Sequence, residues 1–205
     1  QEIKKTKKQL TVFIPSLQTE VNIAPVTLAQ QSKIIESISD NVTIANNPIL
    51  ALLEFNSIMF SILKANIEEY QPIYNTIDRI NLIIALKSHI DKVITDDNDL
   101  DFDLNAMLAR NAELEYTAIG ETLTVDDITF EVAPPTLEED NIVNNLVLRK
   151  YKASSIKNKS LLSDVYIYES LKFIKSVTIG ENKAEIKNDS KSLELLKQID
   201  TSTLK

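Results

Sequence analysis

The run Thr76–Ile94, TIDRINLIIALKSHIDKVI, constrains the fold more than any other stretch, because its apolar residues recur at helical spacing without a break. At about 100° per residue, Ile77, Ile80, Leu82, Ile83, Ile84, Leu86, Ile90, Val93 and Ile94 cover more than half the circumference. Asp78, Asn81, Ser88, His89 and Lys92 share the remaining arc. A stripe that wide predicts a central helix covered on at least two sides. Asn75 and Thr76 offer capping oxygens at its start, and Lys87 inside the apolar arc pairs with Asp91 one turn later.

Composition narrows what such a helix can serve. With 205 residues, 43% of them apolar, the chain can build one sizeable core or two small lobes. A net charge of −8 and a pI near 4.8 point to protein partners, since phosphate binding needs a clustered basic surface. Absence of cysteine excludes disulfides, thiolate catalysis and iron–sulfur or zinc–thiolate sites, and fits a reducing compartment. The leading residues lack the order of a secretory signal. Ile49–Leu63 is interrupted by Glu54, Asn56, Ser57 and Ser61 and is shorter than a bilayer crossing, so no membrane span is expected.

In chain order, Gln1–Gln9 reads as a flexible basic arm carrying Lys4, Lys5, Lys7 and Lys8. Leu10–Leu17 and Glu20–Ala24 predict a hairpin turning around Pro15, and Thr27 caps a helix through Ile38 to about Asp40. Pro48 opens a second helix reaching about Glu68 and packing on the central one, with Phe55, Met59 and Phe60 as core fillers. Asp96–Asp103 reads as a solvated loop before a short helix at Leu104–Ala112. Residues 113–135 alternate apolar and polar with turns at Gly120-Glu121 and Asp126-Asp127, which predicts a β-meander. Glu138–Asn145 reads as a mobile acidic connection and Leu146–Lys152 as a further strand. Ser163 and Asp164 then cap a helix with the stripe Ile167, Leu171, Ile174 and Val177, stopped by Gly180, and a charged helix follows at about Ser190–Ile199.

Catalytic constellations are scarce. His89 is the only histidine and sits on the polar arc, where a surface or interface role is expected. Two glycines, Gly120 and Gly180, cannot write a P-loop or a dinucleotide motif. The alternating carboxylates from Asp97 resemble the opening of an EF-hand loop, yet Phe102 stands at the glycine position and Leu108 at the bidentate glutamate position. These residues leave a small divalent-metal-dependent hydrolase, or a DNA- or tape-measure-associated tail factor using the arm, as alternative readings. The expectation is no enzyme, no cofactor and no resident metal.

The segments TVFIPSLQTEVNIAPVTLAQQSKIIESI, TIDRINLIIALKSHI and YESLKFIKSVTIGENKAEIKNDSKSLELLKQI together resemble, in the same order, the baseplate hub assembly proteins of T-even-type contractile-tailed bacteriophages. Pro15, Ser16, Pro25 and Lys33 carry the first part of the resemblance, and the helix-Gly-Glu close near Ile174, Gly180 and Glu181 the other. The resemblance implies a non-enzymatic assembly factor or hub subunit that meets other tail proteins, in the cytoplasm of the infected host or in the virion tail.

The resulting expectation is an α+β protein: a helical core, an N-terminal β-hairpin, a β-meander in the second half and closing C-terminal helices. Its divisions are an arm at 1–9, a hairpin-plus-helical part at 10–112 and a meander-plus-helical part at 113–205. Contacts are expected from the polar margins, namely Lys4, Lys5, Lys7 and Lys8, Asp97, Asp99, Asp101 and Asp103, and Glu138, Glu139 and Asp140. Opposite charge on arm and loops also allows a homo-oligomer.

Overall fold

Alternation along Leu10–Ile14 (β1) and Thr19–Ile23 (β2) sends Val12, Ile14 and Ile23 to one buried face, and the two strands pair antiparallel from Leu10 opposite Ile23 to Ile14 opposite Thr19. This hairpin belongs to the first of two compact units in a computed structural model. It describes residues 9–43, 48–91, 93–95, 101–113, 120–152, 158–187, 189 and 191–192, with backbone alone at 38–43, 93–95, 152 and 158–160. The first unit takes residues 1–44 and 58–117, the second residues 45–57 and 118–205. The expected break after 112 therefore falls after 117, and one helix, Pro48–Asn66 (α2), is shared between the units.

In the first unit, Leu28–Thr43 (α1) starts at a reciprocal cap. The Thr27 hydroxyl accepts from Gln30 N–H at 3.2 Å, and the Gln30 carboxamide accepts from Thr27 N–H at 2.9 Å. The α2 C-terminus is sewn to the hairpin: Asn66 C=O accepts from Ala24 N–H at 2.8 Å, and Asn66 Nδ2 donates to the Ala24 and Pro25 carbonyls at 3.0 Å.

The long central helix is shorter than the sequence predicts. A single 3₁₀ turn at Thr76–Asp78 leads into Arg79–Ser88 (α3), which ends where Ile90 and Asp91 N–H both donate to Lys87 C=O. Val93–Thr95 (β3) instead pairs antiparallel with Asp101–Asp103 (β4). Three consecutive β-branched residues favour that extended form. Leu82, Ile84, Ala85 and Leu86 are buried as expected, whereas Ile80 is 64% exposed and Ile90 50%. The closest neighbours of α3 are Leu104–Ala112 (α4) and β1 rather than α2. Asn81, placed on the polar arc by its sequence position, is buried; it reaches Phe13 C=O at 3.5 Å and accepts from Asn111 at 2.7 Å. The Lys87–Asp91 pair forms as expected.

The second unit is an antiparallel sheet with helices on its apolar face. Glu121–Val125 (β5), Ile128–Val132 (β6), Ile174–Ile179 (β7) and Asn182–Glu185 (β8) run in the order β5-β6-β7-β8. Phe130 and Val177 on the sheet pack with Val143 and Val147 of Leu137–Lys152 (α5), Leu171 of Asn158–Leu171 (α6) and Leu53 of α2. The α+β class and the meander stand, but three assignments inside them change. The connection Glu138–Asn145 and the strand Leu146–Lys152 form one continuous helix, α5, capped by Thr136 and Glu139. Ser163 and Asp164 lie inside α6 instead of capping it, and Ile174 and Val177 leave that helix for β7. Gly180 serves the β7–β8 turn with φ 58, a left-handed value that suits glycine. Of the expected 190–199 helix only residues 191–192 are described, and these are helical.

Among the described residues α2 is the one helix long and apolar enough to cross a membrane, at 19 residues. Its polar positions serve the fold: Ser57 donates to Asn141 Oδ1 at 3.0 Å, and Asn66 is buried and bonded as above.

Candidate functional site

The hairpin leaves one side of β2 incompletely paired. Asn22 C=O accepts from Glu68 N–H at 2.9 Å and Ala24 N–H donates to Asn66 C=O, so Asn22 and Ala24 turn their backbone groups away from β1. Alternation along an antiparallel strand then turns Glu20 the same way. Next to Asn22 the chain diverges, because Glu69 adopts φ 53, a left-handed conformation costly for a residue with a Cβ. A groove of about 410 Å³ opens between β2 and residues 68–74.

Carboxylates dominate this groove: Glu20, Glu68 and Glu69 line it together with Tyr74 and Leu17, and among the described residues no cationic side chain does. Glu68 Oε2 accepts from Asn22 Nδ2 at 3.0 Å, and Asn22 Oδ1 accepts from Thr11, which fixes one wall. Tyr74 is buried, and its hydroxyl is held above the usual tyrosine range by burial first, then by the charges of Asp78 and Glu69. Beneath the turn, Asp78 is fully buried and accepts from Ser16 N–H at 2.9 Å, Ser16 Oγ at 2.5 Å and Asn75 N–H at 2.8 Å. That carboxylate clamps the Pro15–Gln18 turn to the start of α3.

The residues singled out from sequence fare differently. Lys4, Lys5, Lys7, Lys8, Asp97 and Asp99 lie outside the described residues. Asp101 is exposed on β4, and Asp103 caps α4 by accepting from Asn105 and Ala106 N–H at 2.9 and 3.1 Å. Glu138, Glu139 and Asp140 form the first turn of α5 and not a mobile connection. Glu139 bonds Thr136 N–H and pairs with Lys175 at 2.5 Å, while buried Asp140 pairs with Lys172 at 2.6 Å and accepts from Asn144. Two of that acidic trio are thus held by partners within their own unit. His89, expected in a surface or interface role, is half-buried against the hairpin with Nε2 3.2 Å from Ile23 C=O. Among the described residues no three acidic or histidine side chains come together as metal ligands.

The surface also carries apolar side chains that the sequence reading assigned to no contact. On α6, Leu162 (56% exposed) and Tyr166 (77%) lie one turn apart, and Phe173 (45%) continues their line just past the helix end. On α1, Leu28 is 85% and Ile35 57% exposed, two turns apart. Leu162 and Tyr166 lie four apart on α6, a helical spacing visible in the sequence, whereas the expected stripe runs on into Ile174 and Val177, which belong to β7. Compared with protein-family models, curated proteins and solved structures, the chain matches none.

Proposed function

We propose that this protein is a structural or assembly component of the baseplate hub of a contractile phage tail, working by protein contact. The observation that carries the reading is the exposed α6 stripe Leu162, Tyr166 and Phe173. Aromatic and aliphatic side chains aligned on one helix face are the usual anchors of protein interfaces. The sequence resemblance names the partners as other tail proteins and the place of action as the cytoplasm of the infected bacterium. Co-expression with tail genes, followed by pull-down and electron microscopy of finished particles, tests it. Recovery with hub precursors alone marks an assembly factor, and stoichiometric presence in tails marks a resident subunit. The double substitution Leu162→Glu and Tyr166→Glu should abolish recovery without changing the melting temperature. Failure of the unaltered chain to recover any tail protein overturns the reading.

A further inference from the structure

Asn22 N–H and both backbone groups of Glu20 face the groove, and among the described residues no backbone group pairs with them. An unpaired strand edge flanked by a cleft is the geometry that accepts an added extended segment. Nothing from residues 66–74 can extend this ladder, because the Ile23–Ile67 bridge stops at the left-handed Glu69. The groove therefore already holds the first rung of a third strand.

Its charge says what the added strand must carry. Glu20, Glu68 and Glu69 stand along the cleft, and among the described residues no cation lines it. The sequence holds a complementary segment, Lys4, Lys5, Lys7 and Lys8, with Glu2 the only acid among its first nine residues. Its own groove is the harder one for that segment to reach. Leu10 lies on β1 opposite Ile23, while the far side of Ile23 is taken by Ile67, so the chain would have to double back around this bridge. A neighbouring copy meets no such detour. We propose that the β2 edge receives the Lys4–Lys8 segment of a second copy as an added strand. Main-chain bonds go to Glu20 and Asn22, and since side chains alternate along a strand one lysine pair, Lys5 and Lys7 or Lys4 and Lys8, faces Glu20, Glu68 and Glu69 while the other pair turns to the opposite face. Reciprocal exchange closes a two-fold dimer.

The inference is independent of the phage reading, since capture of tail proteins and self-association are separate readouts. Sedimentation velocity on the full chain should show a monomer–dimer equilibrium that weakens about tenfold or more as salt rises through the range where exposed charges are screened. Two full-length variants should each be monomeric: one with Lys4, Lys5, Lys7 and Lys8 changed to Glu, the other with Glu20→Lys and Glu68→Lys. Mixing them should restore association, because one retains the groove and the other the arm. Amide exchange at Glu20 and Asn22, followed with only the arm-reversed protein isotopically labelled, should slow in the mixture. A monomeric unaltered chain with fast exchange at these amides overturns the proposal. So does a dimer that survives arm reversal, or a mixture that stays monomeric. Protection that persists in the monomer independent of concentration assigns the groove to the chain's own arm and equally overturns exchange between copies.

Discussion

Each unit buries an aspartate beside a helix start, and the two are satisfied by opposite means. Asp78 in the first unit takes its bonds from Ser16 N–H, Ser16 Oγ and Asn75 N–H, all neutral donors. Asp140 in the second is met by the Lys172 ammonium, which also pairs with Glu169 at 2.5 Å, and accepts from Asn144 as well. Their side chains are 10% and 3% exposed for Lys172 and Asp140, so both charges have left water. A clamp of neutral donors fixes a turn and degrades by the loss of hydrogen bonds. A buried pair degrades by stranding an ion, which costs more than the pair itself contributes.

That contrast sets the order of the mutational effects. Lys172→Met should cost about 3–5 kcal/mol in urea unfolding, because the buried Asp140 carboxylate loses its counter-charge. Adding Asp140→Leu should return the protein to near its original stability, since an apolar pair of similar size avoids both desolvation costs. If the single and double variants unfold alike, the pair is not the sink described. Asp78→Asn should cost less, about 1.5–3 kcal/mol, the worth of hydrogen bonds to a charged acceptor. Faster amide exchange at Ser16 would localise that loss to the turn.

Smaller still should be the caps, which are alike in the two units. Thr27→Ala and Thr136→Ala each remove one hydroxyl from a reciprocal cap and should each cost about 1 kcal/mol. Equal values would show that the units differ in how they hold charge and not in how they start helices; a gap much beyond that would break the comparison. The smallest effect concerns Glu131 on the sheet. Bonds from Lys183 and Ser176 hold its carboxyl below the ordinary value of 4.5. A lowered folded value stabilises the protein above the unfolded value, and this is lost as pH falls through the folded one. Melting temperature should therefore drop more steeply below pH 4.5 in the unaltered protein than in Glu131→Gln.

How much was legible from sequence differs element by element. The hairpin, α1 and α2 could be read because local signals agree: alternation, the Thr27 cap and Pro48 at a first turn. The β7 error has a specific cause. Ile174 and Val177 are three apart, which reads as helical, yet the register shift opposite Glu131/Val132 inserts an extra residue in β7. That irregularity returns Ile174 to the apolar face and reproduces helical spacing within a strand. Of the candidate site, the arm's charge was visible. The groove was not, because it is made from β2 and residues 68–74, nearly fifty positions apart in the chain.

Sequence by itself determined where short-range chemistry suffices: which segments alternate, which residues cap, and that no cysteine chemistry is available. Tertiary structure alone decided α5. Its inward face includes Asp140 and Asn144 as well as Leu137, Val143 and Val147, so two polar residues interrupt the apolar stripe and disguise the helix as a loop followed by a strand. Asp140 can be buried only because Lys172, thirty-two residues later, turns its ammonium onto it. A charge is tolerated in a core when its partner arrives with the fold, and no local pattern announces that partner.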